Sequence, residues 1–295
     1  MEKLLDASAV RALGTWTKTF DHLSDGSPPR EVGQATWVMA LLSALLVGFS
    51  GVLPIFYGNL IYSKHLTLVL NFAVGCLLGD VFFHMLPEVW RAREPLGSGL
   101  WVVAGALLFF IVEKAMKLTE ASDADTRDSH HCQKGVSKVT GYLNLFANCT
   151  DNFAHGLAIA ASYLMGPGVG AVTTVAILCH EIPHEVGDFA ILISSGFDLW
   201  SAVRAQLLTS LGGLVGVTVG MLTHHCTDSV AWMLAFTAGG FLYLSFVSIL
   251  PSTIRDDETH LARSPLPFVM QVAGVLSMVF VTVIEHHACS GQVAR

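Results

Sequence analysis

Long apolar runs alternate with short polar loops along the chain. Eight runs lie at about residues 36–57, 66–90, 99–118, 139–165, 169–195, 199–222, 230–252 and 267–288. Each is close to the roughly 20 residues with which a helix crosses the hydrocarbon layer of a bilayer. A helix satisfies all backbone hydrogen bonds within its own segment, as this layer requires. We name the runs spans 1 to 8, and they predict an all-α polytopic membrane protein with eight transmembrane helices.

Composition and charge support a membrane protein and argue against binding of nucleic acid. The 295 residues are 53% hydrophobic and only 13% charged, and the mean hydropathy is +0.58, values typical of membrane proteins. The net charge of −7 is spread along the chain, so no basic surface for a nucleic acid emerges. The six cysteines form no CxxC pair, which argues against a disulfide framework or a zinc ribbon. We expect the lipid bilayer as a partner and no nucleic-acid partner.

The polar residues outside the spans are too few for a separate soluble domain. We predict an N-terminal tail at residues 1–35, one eight-helix membrane domain at 36–288 and a C-terminal tail at 289–295. Residues 1–35 lack the apolar core and small-residue cleavage site of a signal peptide, so we expect span 1 to direct membrane insertion.

Spans 2 and 7 resemble each other at an offset of 164 residues. The alignment pairs Gly75 with Gly239, Leu78 with Leu242, Phe82 with Phe246 and Leu86-Pro87 with Leu250-Pro251. Because spans 2 and 7 lie an odd number of spans apart, the two copies would cross the membrane in opposite directions. Inverted repeats of this kind are typical of transporters, and they leave spans 4 and 5 as an unpaired central pair. The alternative is a chance match, since small and apolar residues are common in any two spans.

Span 5 carries the densest group of ionisable residues in an apolar setting. It reads Cys179-His180-Glu181-Ile182-Pro183-His184-Glu185-Val186-Gly187-Asp188. The two histidines are four residues apart, as are the two glutamates, so each pair lies on one helical face. Imidazole nitrogens with carboxylate oxygens suit Zn²⁺, Fe²⁺ or Mn²⁺. Pro183 removes one helical hydrogen bond and predicts a kink beside these residues.

Span 4 supplies a second group of ligand types at the same spacing. Asp151 and His155 are four residues apart, and Asn152 lies beside them. If spans 4 and 5 face each other, Asp151, His155, His180 and His184 would form a first metal site. Asn152 and Glu181 would form a neighbouring site, with Glu185 and Asp188 as accessory positions. Ionisable residues inside a span are costly and usually line an ion path, so we predict metal binding here.

Other polar residues of the spans and loops carry weaker signals. Asp80 and His84 in span 2 are four residues apart and would line a transport path; a structural polar contact is the alternative. His130-His131 and His224-His225 lie in loops and would capture metal only weakly. Asn148-Cys149-Thr150 fits a glycosylation sequon, but it falls inside span 4, so we interpret it as a chance match.

The motifs of spans 4 and 5 resemble those of the ZIP (Zrt/Irt-like protein) family of metal transporters. The resemblance rests on Asp151-Asn152-Phe153-Ala154-His155-Gly156-Leu157-Ala158 and on His180 to Asp188, which matches the subfamily pattern HEXPHEXGD. It implies eight helices in a 3+2+3 arrangement, a homodimer, and a binuclear site between spans 4 and 5. The implied metal ligands are Asp151, Asn152, His155, His180, Glu181 and His184, with Asp80 and His84 on the path. No cofactor is implied; Zn²⁺ or Fe²⁺ is the transported substrate.

Two positions depart from the family pattern. The usual order His-Asn-x-x-Asp in span 4 is exchanged here, with Asp151 first and His155 last. A carboxylate that some relatives carry in span 6 has no counterpart, and Gly213 stands in its place. The exchange keeps the number of ligands but changes the balance of charge between the two sites, and the missing carboxylate predicts a weaker second site. The family resemblance implies Zn²⁺ as the first candidate substrate and Fe²⁺ as the next. The resemblance and the short tails favour a Golgi, endoplasmic reticulum or vesicle membrane, with the plasma membrane as the alternative.

Two other functions fit part of the pattern. His180-Glu181-Ile182-Pro183-His184 satisfies HExxH, the motif in which a zinc protease uses glutamate as general base. Pro183 inside the motif and the extra ligand types of span 4 argue against an enzyme, because a catalytic zinc needs an open position. A metal-sensing membrane protein without transport is the third interpretation, and the inverted repeat argues against it.

Overall fold

The protein is described here by a computed structural model covering residues 33–57, 66–92, 94–124, 136–223, 227–255 and 264–293. Within these ranges all regular structure is helical. The α-helices are α1 (Gln34–Ser50), α2 (Leu66–Asp80), α3 (Leu86–Ala92), α4 (Pro95–Ala124), α5 (Lys138–Met165), α6 (Pro167–Ser194), α7 (Leu199–Thr209), α8 (Leu211–Thr223), α9 (Thr227–Tyr243), α10 (Leu250–Arg255) and α11 (Leu266–Val293). A 3₁₀ turn, Leu53–Tyr57, follows α1. The π-helical segments Val81–Met85 and Leu244–Ile249 join α2 to α3 and α9 to α10.

Helices occupy all eight predicted spans, which confirms the prediction of an all-α chain. Six stretches of the described chain are long and apolar enough to cross a membrane on their own: Gln34–Phe56, Leu66–Arg91, Pro95–Thr119, Leu199–Thr223, Ala231–Ile254 and Leu266–Ile284. The other two predicted spans are α5 and α6, each 28 residues long and rich in polar residues. Residues 1–32, His130-His131 and His224-His225 lie outside the described residues.

Helices α5 and α6 form a tight antiparallel hairpin. Helix α5 begins where the Ser137 hydroxyl accepts a hydrogen bond from the backbone N–H of Thr140 at 3.2 Å, which satisfies one free N–H of the first turn. It ends at Gly166, whose φ of 150° favours glycine. Pro167 follows at the first position of α6, where proline costs no helical hydrogen bond. The Gly-Pro pair therefore turns the chain and sets the two ligand-bearing helices side by side.

The remaining helices enclose this hairpin. Helix α8 packs on α5, α2 packs on α6, and α9 contacts α5; α11 covers α2, and α4 covers α9. Leu77, Phe189 and Phe241 fill the core between α2, α6 and α9 and are fully buried. Helices α4 and α11 instead expose large apolar side chains, including Ile111 at 57% and Phe280 at 65%. Such a surface suits contact with lipid rather than water.

The alignment of spans 2 and 7 has a counterpart in how these spans pack against their neighbours. A Cβ added to Gly75 would lie 2.0 Å from the carbonyl oxygen of Gln271, and one added to Gly239 would lie 1.9 Å from that of Val102. Conversely, a Cβ added to Gly274 would lie 2.3 Å from the carbonyl oxygen of Phe72, and one added to Gly105 would lie 2.0 Å from that of Phe236. The offset that pairs Gly75 with Gly239 also pairs Phe72 with Phe236. Spans 2 and 8 thus pack as spans 7 and 3 do, backbone against backbone.

The π-helical segments obey the same relation. Val81–Met85 precedes Pro87, and Leu244–Ile249 precedes Pro251. Proline lacks an N–H and its ring displaces the carbonyl of the turn before it, and the helix accommodates this by a wider turn. The widened turn of span 2 carries His84 and directs it toward α6.

Candidate metal centre

Three imidazoles from three helical segments meet beside the α5–α6 hairpin. The Nε2 atoms of His155 on α5 and His180 on α6 are 3.0 Å apart, and their ring centroids are 4.8 Å apart. The His84 ring lies 4.9 Å from that of His180. One ligand nitrogen from each can be grouped within 4.8 Å. We call His84, His155 and His180 the histidine cluster. Two nitrogens bound to one tetrahedral Zn²⁺ lie about 3.3 Å apart, close to the distance between the two Nε2 atoms, so the cluster fits a metal ion.

A second group lies on the other side of the His155 ring. Its Nδ1 atom is 2.9 Å from Oε1 of Glu181 and 3.9 Å from Oδ2 of Asp151. One ligand atom from each of these three residues falls within 4.8 Å, and all three side chains are buried. We call this group the carboxylate cluster. The two clusters share His155, which offers Nε2 to one and Nδ1 to the other.

The helix geometry explains why these side chains meet. Asp151 and His155 lie one turn apart on α5, and His180 and Glu181 are adjacent on α6, which runs antiparallel to α5. Helix α6 continues through Pro183 as one helix. Because the helix is not broken at Pro183, this proline is by itself no argument against an HExxH protease. The two histidines of the motif give a stronger argument, because in an HExxH protease both bind the same zinc ion. Here His180 belongs to the histidine cluster, while Nδ1 of His184 lies 3.4 Å from Oδ2 of Asp188.

The structure groups the predicted ligands differently from the sequence-based assignment. Sequence spacing placed His184 with the first site, whereas here its ring makes a tilted contact with Phe241, with the centroids 5.0 Å apart, and His84 joins the cluster instead. Asn152, predicted beside Glu181, donates its amide to the carbonyl oxygen of Asn148 at 3.0 Å. Asp80 is 2% exposed, and its Oδ1 has no hydrogen-bond partner among the described residues.

The accessory residue Glu185 has a partner that sequence analysis missed. Gln206 on α7 donates its side-chain amide to Oε2 of Glu185, and the backbone at Gly51 lies against the same carboxylate. Both Glu185 and Gln206 are buried. The available signal was a single side-chain amide in span 6. At Gly213 an added Cβ would lie 3.4 Å from the carbonyl oxygen of Asn152, so this position faces the site without a side chain.

Replacing Gln206 by leucine is expected to lower thermal stability and leave metal affinity unchanged. The substitution leaves the buried Glu185 carboxylate without its amide donor, and an unsatisfied buried polar group costs about 1–3 kcal/mol or more. No atom of Gln206 belongs to either cluster. Thermal unfolding and Zn²⁺ titration of the purified protein in detergent measure the two effects. A ten-fold loss of affinity would place Gln206 among the ligands and contradict this separation.

Comparison with known proteins supports a transport function for these spans. The family model described as ZIP Zinc transporter matches residues 34–136 and 117–282. The chain is 43% identical over 269 residues to the zinc transporter ZIP13 of Pongo abelii, covering 83% of this chain and 78% of that protein. It is 40% identical over 300 residues to the human zinc transporter ZIP13, covering 83% and 80%. With the Drosophila melanogaster zinc transporter ZIP13 homolog the identity is 36% over 322 residues, covering 85% and 90%.

These matches confirm the resemblance seen in the motifs and do not favour the protease alternative. They extend over most of the spans rather than over the HExxH segment alone. Together with the buried clusters between α5 and α6, they assign the chain to a family of membrane transporters and not to the enzymes. The protein belongs to the ZIP zinc transporter family.

Proposed function

We propose that the protein carries Zn²⁺ across a membrane by passing it between two adjacent ligand sets on α5 and α6. The observation that carries this proposal is the position of His155, which presents Nε2 to the histidine cluster and Nδ1 to the carboxylate cluster. A carrier must bind its ion and release it again. A ligand shared by two sites lets the ion move while one bond is replaced by another. Fe²⁺ is the second candidate, because the same ligand types bind it.

The two clusters differ in charge, and this supports different roles for them. The histidine cluster offers neutral nitrogens, whereas the carboxylate cluster contains Asp151 and Glu181, both at most 3% exposed. An ion that loses its water in an apolar layer needs such negative charge to offset dehydration. Histidine nitrogens bind the ion without adding charge. We therefore assign capture and exchange to the histidines and charge compensation to the two carboxylates.

Access to the clusters runs through the widened turn of span 2. Glu88 is exposed, with 51% of its side chain accessible, and its Oε2 lies 3.9 Å from Nε2 of the half-buried His84. His84 in turn contacts the ring of buried His180. These residues form a graded series from exposed carboxylate to buried imidazole. The series supports the predicted role of His84 on the transport path, with Glu88 as an added member.

Alternating access would involve the two repeat units moving around the α5–α6 hairpin. We assign spans 1–3 and 6–8 to the two units, in the 3+2+3 arrangement that the family resemblance implies. The equivalent glycine contacts of spans 2 and 8 and of spans 7 and 3 support this assignment. Helix α2 packs on α6, and α9 contacts α5. Helices of both units therefore contact the ligand-bearing hairpin, so relative movement would reshape the site.

Metal flux into proteoliposomes tests the proposed function. Vesicles with the wild-type protein are expected to take up Zn²⁺ faster than protein-free vesicles do, and to take up Zn²⁺ faster than Fe²⁺. The double variant His180→Ala with His184→Ala is expected to lose this flux, because it removes one ligand of the histidine cluster and the histidine that contacts Asp188. Circular dichroism confirms that the variant remains helical. Bound Zn²⁺ without flux in the wild type would contradict a carrier and favour the metal-sensing alternative, and peptide hydrolysis would favour the protease.

The assembly and location of the carrier follow from the family resemblance. We propose a homodimer in a Golgi, endoplasmic reticulum or vesicle membrane, with the plasma membrane as the alternative. Light scattering of the detergent-purified protein distinguishes a monomer from a dimer, and imaging of a tagged chain against organelle markers reports the compartment. A monomeric mass would contradict the dimer.

A further inference from the structure

A line of buried polar groups continues along the hairpin beyond the two clusters. On α5, Thr140, Asn144, Asn148 and Asn152 succeed one another every four residues, so they lie along one helical face. All four are at most 3% exposed. The line leads from the carboxylate cluster toward the start of α5. An apolar span does not need such a line for its fold, since each buried amide has to find hydrogen-bond partners.

Asp188 on α6 faces this line at its midpoint. Its Oδ2 accepts a hydrogen bond from Nδ2 of Asn148 at 2.6 Å and lies 3.4 Å from Nδ1 of His184. Asp188 is 0% exposed, and its second oxygen, Oδ1, has no hydrogen-bond partner among the described residues. A buried carboxylate with one satisfied oxygen and one unused oxygen has capacity to bind a cation.

Asn144 supplies an independent sign of unused binding capacity. It lies one turn before Asn148 on the same face of α5 and is 0% exposed. Neither Nδ2 nor Oδ1 of its side chain has a hydrogen-bond partner in the described chain. Leaving such a group unsatisfied costs about 1–3 kcal/mol, and a structural asparagine would not be expected to bear that cost.

The line ends where α5 begins and α6 ends, at the end of the hairpin opposite His84. Ser195, just after α6, faces Gly141 near the start of α5, where an added Cβ would lie 2.9 Å from its Cβ. At the other end, His84 contacts His180, while Ala73 contacts Gly187. Helix α2 therefore runs antiparallel to α6, which places His84 and Glu88 toward the Gly166 turn. The polar line extends from the clusters to the other end of the hairpin.

We infer that Asp188 and Asn144 supply the ligands of an inner cation station, in which Asn148 positions Asp188. Through this station the ion passes between the carboxylate cluster and the end of the hairpin where α5 begins and α6 ends. His184 lies between this station and the clusters and would transfer the ion. The station uses mainly oxygen ligands, which hold Zn²⁺ more weakly than several imidazoles do, so it binds the ion briefly. This inference rests on the proposed function, because it assigns a step of the same transport route.

Two substitutions, Asp188→Asn and Asn144→Leu, test the station. In Asp188→Asn, the first equivalent of Zn²⁺ is expected to bind as in wild type, while flux falls at least about ten-fold. In Asn144→Leu, the orphaned amide becomes a side chain of similar size, so the unfolding temperature stays equal or rises while flux also falls several-fold. If Asn144 had only a structural role, Asn144→Leu would lower the unfolding temperature and leave the flux per folded protein unchanged. The matched control is Asn71→Leu, because Asn71 is a buried asparagine on α2 whose side-chain amide donates a hydrogen bond to the backbone carbonyl oxygen of Thr67. The flux of this variant per folded protein should stay unchanged.

Each outcome of these measurements decides between named alternatives. Wild-type flux in both Asp188→Asn and Asn144→Leu would overturn the station. Loss of the first Zn²⁺ equivalent in Asp188→Asn would make Asp188 a ligand of the main site and would also overturn it. Absence of flux in the wild type would defeat the carrier function itself, and the station with it. Flux lost in both variants with Zn²⁺ binding intact supports the inference.

Discussion

Replacing His155 by alanine is expected to remove high-affinity Zn²⁺ binding and transport together. His155 contributes one ring nitrogen to the histidine cluster and the other to the carboxylate cluster, so the change leaves two candidate ligands in each. Loss of a residue that merely orients a ligand costs about 10–100-fold in affinity or activity. Loss of a ligand shared by two sites should reach at least the upper end of this range. Competition titration with a fluorescent chelator and proteoliposome flux measure the two quantities.

His84→Ala is the comparison that makes this result specific. His84 belongs to the histidine cluster alone, so its removal should reduce flux but preserve Zn²⁺ binding at the carboxylate cluster. The two variants make the same chemical change and differ in how many clusters they affect. Equal losses in both variants would contradict the central role of His155. Wild-type binding by His155→Ala would contradict the assignment of both clusters.

Gly156→Ala is expected to lower the unfolding temperature and the fraction of folded protein. The added Cβ would lie 2.2 Å from the carbonyl oxygen of Gly213 on α8, and backbone at this distance has to move away. Overpacking of this kind typically costs about 1–3 kcal/mol. Because Gly156 follows His155 directly, separation of α5 from α8 should also disturb the clusters. Thermal unfolding in detergent measures the first effect, and Zn²⁺ titration of the folded fraction measures the second.

Gly168→Ala is the matched control for this packing contact. Gly168 lies in the first turn of α6, and an added Cβ would meet no atom within 4 Å. Alanine in an open helical position gains up to about 1 kcal/mol over glycine, so its unfolding temperature should stay equal or rise. Two Gly→Ala changes are thus expected to have opposite signs. A stable Gly156→Ala protein with unchanged Zn²⁺ affinity would show that α5 and α8 can separate without cost.

The helices and the main motif could be predicted from the sequence because their signals are local. Apolar runs of about 20 residues specify helices in a bilayer whatever surrounds them. The spacing of His180 with His184, and of Asp151 with His155, fixes which side chains share a face of their own helix. The similarity of spans 2 and 7 predicted a repeat, and the equivalent glycine contacts show the same relation in the packing.

The partners across helices could not be predicted in this way. His84 was predicted on the transport path, and its place beside His180 could not be predicted, because only the π-helical turn before Pro87 and the packing of α2 on α6 direct it there. Asn148 was interpreted as part of a chance sequon, and its hydrogen bond to Asp188 spans 40 residues of sequence. Gln206 gave no signal beyond a single amide, since its partner Glu185 lies on another helix.

The sequence by itself determined the membrane class, the helices and the chemical types available for binding a divalent metal. Those properties depend on the length, polarity and spacing of residues within one segment. Only the tertiary structure decided that His155 joins two clusters, that His184 faces Asp188, and that a polar line continues to the far end of the hairpin. These facts depend on the relative rotation and depth of α2, α5 and α6. Rotation and depth are set by contacts between distant segments, such as Gly187 against Ala73 and Gly141 against Ser195, and no periodicity within a single helix records them.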